Sequence, residues 1–150
     1  MLGVNERFHM PITVPFTGGC ACGAIRYRCS SAPIFSCNCH CRECQHHTGS
    51  AYAAEIAVPE SAVALTDGTA TFYEVPTDSG TVLKRGFCGI CGSPVLILTE
   101  RGWTIISTGS LDTPEDYEPQ MDVFTSRAHA WDHMDPELPK FPEMPPVEGL

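Results

Sequence analysis

Gly18-Gly19-Cys20-Ala21-Cys22-Gly23-Ala24-Ile25-Arg26-Tyr27-Arg28-Cys29 opens on two thiols one residue apart and closes on an alternation. Ile25, Tyr27 and Cys29 fall on one face of an extended chain, the mark of a half-buried β-strand. The glycines around the Cys-x-Cys permit positive φ angles and close backbone approach, which a tight metal knuckle needs. The same combination returns in Phe87-Cys88-Gly89-Ile90-Cys91-Gly92, a Cys-x-x-Cys in a glycine-rich turn. A third cluster, Cys39-His40-Cys41-Arg42-Glu43-Cys44, is a Cys-x-Cys-x-x-Cys.

The surroundings of these clusters read mostly as strands. Residues 71–75 and 81–87 are separated by a Pro-Thr-Asp-Ser-Gly turn. Residues 94–99 and 103–108 flank Glu100-Arg101-Gly102, a connection short enough for a hairpin. Helical signal is confined to a turn or two near residues 41–47 and to residues 60–65 after Pro59. The expected fold is a mainly β, single zinc-stabilised domain of several small antiparallel sheets. It spans residues 17–135, after a lead-in over 1–16 and before a tail over 136–150 that carries five prolines.

Composition agrees. A chain of 150 residues fits one domain, and 43% hydrophobic residues suffice for a core. Charged residues are sparse at 18%, and 13 Gly with 13 Pro favour turns and short strands. A net charge of −9 argues against nucleic acid and against an anionic membrane surface as partners. No apolar run approaches the roughly 18–20 residues of a membrane span. The first sixteen residues lack an apolar core and include Asn5, Glu6, Arg7 and His9, so no secretory signal is expected and the cytoplasm is the default. In that reducing compartment nine cysteines, an odd number, point to metal binding or catalysis rather than disulfides.

Counting ligands divides the clusters. Zinc takes thiolates in a tetrahedron, closed in structural sites and open at one position in catalytic ones. Cys20, Cys22, Cys88 and Cys91 make a complete set of four. Cys39, Cys41 and Cys44 make three, with one position to fill. Two zinc ions per chain are therefore expected, one structural and one reactive. Cys29 reads as a buried strand residue. Cys37 would close the second set only through a sharp turn, because an extended run places it roughly 13 Å from Cys41.

Gly18 to Tyr27, Cys39 to Gln45, Gly49-Ser50-Ala51-Tyr52 and Phe87 to Pro94 together resemble the glutathione-dependent formaldehyde-activating enzyme family, which includes centromere protein V. Thr108-Gly109-Ser110-Leu111-Asp112 and the segment from Ser126 to Trp131 are similar to it as well. The resemblance runs over roughly residues 17–132. It implies a β-rich fold like that of methionine sulfoxide reductase B and the translationally controlled tumour protein. It also implies a structural zinc on Cys20, Cys22, Cys88 and Cys91 and a catalytic zinc on Cys39, Cys41 and Cys44. The implied activity is carbon–sulfur lyase chemistry on glutathione and formaldehyde, through S-hydroxymethylglutathione.

A small-molecule thiol or thiol adduct is thus the expected partner, and a homo-oligomer is compatible with the sequence. The proton that such an addition must move could be carried by His40, Glu43, His46 or His47, or by His129 or Asp132 if the fold brings them close. Ordinary structural roles compete for each: His40 would face solvent or cap backbone, and His46 and His47 would be polar surface residues. Arg42 and Arg85 could hold a carboxylate, while Trp103 and Trp131 read as core or pocket wall. The alternative functional class is a non-catalytic zinc-stabilised binding module, which a second site closed by Cys37 or a histidine would favour. A thiol redox enzyme using Cys37 or Cys29 is a third reading.

Overall fold

The structure is a computed structural model that describes residues 10–77 and 79–147; Asn5, Glu6, Arg7 and His9 lie outside them. It is mainly β, with a three-stranded and a seven-stranded sheet. Strands β1 (Phe16–Gly19) and β2 (Arg26–Cys29) form an antiparallel pair, and β5 (Val63–Asp67) completes the small sheet on the other side of β2. The large sheet uses β3 (Phe35–Cys39), β4 (Ala53–Pro59), β6 (Thr71–Pro76), β7 (Val82–Phe87), β8 (Pro94–Leu98), β9 (Trp103–Ser107) and β10 (Asp122–Val123). Its order is β10-β3-β4-β9-β8-β7-β6. All neighbours are antiparallel except β10, which runs parallel to β3.

The alternation in β2 does what its period predicts: Ile25, Tyr27 and Cys29 are buried with relative exposures of 1%, 1% and 0%. They join Ile56, Val58, Val95 and Ile106 in one hydrophobic cluster. A second cluster gathers Phe35, Ala53, Ala57, Trp103, Met121 and Val123. Central strand β4 therefore feeds both, with Ile56 and Val58 on one face and Ala53 and Ala57 on the other. Burying a side chain such as Ile56 contributes about 1.5–3 kcal/mol. Phe141, Met144 and Val147 of the proline-rich tail pack against the second cluster.

The hairpins expected at 71–87 and 94–108 form. Residues 60–65 do not form a helix. A single 3-10 turn, Glu60–Ala62, leads directly into β5, where Val63 pairs with Cys29. Pairing with β2 overrides a helical tendency too short to nucleate alone.

The only α-helix among the described residues, α1 (Arg42–Thr48), begins at the third cysteine cluster. Cys41 is its N-cap, with its Sγ accepting the Cys44 N–H at 3.3 Å. Gly49 ends it in the left-handed conformation with φ 70°. Its first turn brings Cys44 back toward Cys41.

Candidate metal centre

Two groups of cysteines come together, and they are the two that ligand counting separates. The Sγ atoms of Cys20, Cys22, Cys88 and Cys91 lie within 4.8 Å of one another, as do those of Cys39, Cys41 and Cys44. In the first group Cys20 and Cys22 are 3.6 Å apart and Cys22 and Cys88 are 3.8 Å apart. Two sulfurs sharing one tetrahedral zinc with bonds near 2.3 Å stand about 3.8 Å apart. The donor set fits such an ion.

Local backbone builds the first group from two turns. Between β1 and β2 the Cys20 N–H donates to the Ile25 carbonyl at 3.1 Å, and Gly23 turns the chain at φ 80°. Between β7 and β8 the Cys88 N–H donates to the Ser93 carbonyl, and Gly92 sits at φ 78°. The N–H groups of Ile25 and Ile90 point at the sulfurs of Cys20 and Cys88, at 3.2 and 3.4 Å. A hydrogen bond from the Ser93 hydroxyl holds the Cys91 thiol down to about 5. The donors at Cys20 and Cys91 favour thiolate, the form that binds metal.

The second group joins the end of β3 to the first turn of α1. Hydrogen bonds from Cys39 and Cys44 hold the Cys41 thiol well below its ordinary range. The same contacts push Cys39 and Cys44 up. Three thiols this close can all ionise only around a cation. Among the described residues no fourth Cys, His, Asp or Glu completes this group. Cys37 lies two residues back along β3, buried at 3% and opposite Glu55 across the ladder. It stands outside the group, as the extended spacing predicts. Cys29 packs in the other core, likewise outside.

Two buried charges flank the second group. Arg85 on β7 is 2% exposed, and its Nη2 donates to Cys44 Sγ at 3.6 Å. Its Nε and Nη1 are buried without a partner. Glu55 on β4 places Oε1 3.5 Å from Cys44 Sγ. Burial pushes the Glu55 carboxyl up to about 7, against the opposing pull of Arg85. Sequence reading did not single out Glu55, although a lone carboxylate in the apolar run Ala53-Ala54-Glu55-Ile56-Ala57-Val58 was the available signal.

The remaining candidates separate. His47 is half-buried, with Nδ1 3.2 Å from the Tyr73 hydroxyl, and burial together with Arg85 lowers it to about 4. Glu43 and His46 are exposed, with His46 against Arg42. His40 neither faces solvent nor caps backbone: it is fully buried, with Asp122 on one side of its ring and Asp132 on the other. His129 Nε2 meets Gln45 Oε1 at 2.8 Å and stacks on Trp131. Trp131 is 65% exposed rather than core or wall, whereas Trp103 is buried.

No helix among the described residues is long and apolar enough to cross a membrane. A solved structure of a Rhodobacter sphaeroides protein is similar in fold, with a TM-score of 0.53 at 20% identity, over 64% of this chain and 87% of that one. No curated protein matches the sequence significantly. The family model for the glutathione-dependent formaldehyde-activating enzyme matches residues 15–127, a stretch that includes all seven clustered cysteines. With the model covering most of its length, the chain belongs to the glutathione-dependent formaldehyde-activating enzyme family.

Proposed function

We propose that the chain is a zinc-dependent enzyme of the carbon–sulfur lyase type, working on glutathione or another small-molecule thiol and formaldehyde or a related aldehyde. The reaction makes or breaks the S-hydroxymethyl adduct: a sulfur–carbon bond forms, the carbonyl π bond opens, and the thiol proton ends on the new hydroxyl. Nothing is oxidised or reduced. Two zinc ions are assigned, a structural one to Cys20, Cys22, Cys88 and Cys91, and a catalytic one to Cys39, Cys41 and Cys44. The observation that carries the reading is the inequality of the two groups, four sulfurs against three.

When bound, zinc supplies a Lewis acid and a position where a thiol binds as thiolate. The protein's own groups do the rest. Cys39, Cys41 and Cys44 would hold the ion from one strand end and one helical turn. Arg85 offers unpartnered Nε and Nη1 donors that can hold negative charge developing on an oxygen. Glu55 Oε1, beside Cys44, is the buried carboxylate placed to hold the proton in transit. Cysteines committed to metal rather than to disulfides suit a reducing compartment, which supports a cytoplasmic placement.

Zinc stoichiometry by elemental analysis, for wild type and Cys39→Ser, tests the assignment. Two ions in the wild type and one in a folded Cys39→Ser are expected. Exchange NMR of glutathione with formaldehyde should then show adduct formation accelerated by wild type and not by the variant. A wild type holding a single zinc overturns the catalytic assignment and leaves the non-catalytic module.

A further inference from the structure

Between the ligands Cys39 and Cys41 stands His40, 0% exposed, a side chain the chemistry above leaves without a task. Its Nε2 lies 2.9 Å from Asp122 Oδ1, and its Nδ1 lies 3.1 Å from Asp132 Oδ2 at ion-pair distance without hydrogen-bond alignment. Its backbone N–H donates to the Val123 carbonyl at 3.0 Å. The Cys-His-Cys backbone is thus gripped by side chain and main chain from β10 and the segment after it.

That grip is anchored by the C-terminal segment. Asp122 donates its N–H to the Pro139 carbonyl and accepts at its own carbonyl from the Phe141 N–H, both at 2.9 Å. Lys140 Nζ approaches Asp122 Oδ2 at 3.5 Å. Thr125 N–H donates to the Phe141 carbonyl, and the Ser126 hydroxyl donates to that of Pro142. Phe141 and Met144 pack on the cluster that contains Cys39 and Cys44. The family match ends at residue 127, so Asp132 and Lys140 lie downstream of the matched stretch.

We infer that Asp122 and Asp132 are positioning residues for the second metal centre, clamping His40 so that Cys39 and Cys41 are held in ligating register, with residues 135–147 as the strap that locks the clamp. The clamp acts on backbone between ligands, much as partners behind ligating side chains set metal affinity. It rests on the two-metal reading for its consequence, but its geometry does not.

The test loads the full chain with zinc or cobalt(II) and follows retention at each cluster against a chelator. Asp132→Asn, Asp122→Asn and a chain ending at Met134 are compared with wild type. The expected outcome is retention at the second cluster weakened roughly 10- to 100-fold, with a shifted cobalt–thiolate spectrum and unchanged retention at the four-cysteine cluster. Asp132→Glu should recover part of the loss. Wild-type retention at the second cluster in Asp132→Asn and the shortened chain overturns the clamp. So does parallel loss from both clusters, because that marks a general loss of stability. If wild type takes up one zinc only, the two-metal reading fails and metal-free amide exchange decides the clamp. Faster exchange confined to residues 38–44 in Asp132→Asn supports it, and unchanged exchange overturns it.

Discussion

Arg85 Nη2 stands 3.6 Å from the sulfur of Cys44, bringing a buried cation from the large sheet against the first turn of α1. Glu55 approaches the same sulfur from β4. Removing the guanidinium leaves a buried carboxyl and a sulfur cluster without compensation. Arg85→Met should therefore cost about 3–5 kcal/mol of stability. Arg85→Lys should cost less, since it keeps the charge while losing the planar fork. Denaturant unfolding at neutral pH measures both, and equal losses for Met and Lys would show that charge is not what Arg85 contributes.

The two clusters should respond differently to the loss of one sulfur. Cys22 and Cys88 come from turns 66 residues apart, so an ion there cross-links two sheets' worth of chain. Cys39, Cys41 and Cys44 lie within one local segment, where an ion closes little chain. Cys88→Ser should lower the melting temperature by more than Cys39→Ser. Thermal unfolding with and without chelator reads the difference, and the reverse order would contradict a structural role for the four-cysteine cluster.

Gly18 on β1 and Gly49 at the end of α1 differ in what they tolerate. A Cβ on Gly18 would stand 2.2 Å from the Tyr27 hydroxyl and 2.4 Å from the Ser110 carbonyl. Tyr27 cannot yield easily, because it is buried and bonded to the Ser110 hydroxyl at 2.7 Å. Gly18→Ala should cost about 3 kcal/mol or more, at or beyond the upper end of overpacking. Gly49 has open space and only its φ of 70° to defend, so Gly49→Ala should cost about 1–2 kcal/mol. Chemical denaturation of the two variants side by side checks the order.

His47 predicts a pH dependence. Its ordinary value is near 6.5, and burial followed by Arg85 lowers it to about 4 in the fold. Between those values the unfolded chain binds the extra proton, so stability falls as pH drops from 6.5 toward 4 and is fully present above 6.5. The contribution is about 1–2 kcal/mol once partial exposure is discounted. His47→Gln should lack this component, seen as a smaller difference in unfolding free energy between pH 7 and pH 4.5. An identical pH slope in the variant would rule it out.

The sequence by itself determined the mainly β character, which is local, and the division of the cysteines, which follows from counting ligands to four. Alternation at Ile25, Tyr27 and Cys29 needs only a period of two, and short Cys spacings bring two or three sulfurs together within one turn. Tertiary structure decided what those sulfurs meet. Glu55 and Arg85 reach Cys44 from strands separated in sequence, and Cys37 is set apart by the register of β3 on β4. His40 shows the limit most clearly: read as a solvent-facing neighbour of ligands, it is enclosed by Asp122 and Asp132, 82 and 92 residues downstream. No local pattern encodes that meeting, since it depends on β10 pairing parallel to β3 and on the tail closing over it. The clustered cysteines are written in the chain, and the environment that distinguishes one cluster from the other is written only in the fold.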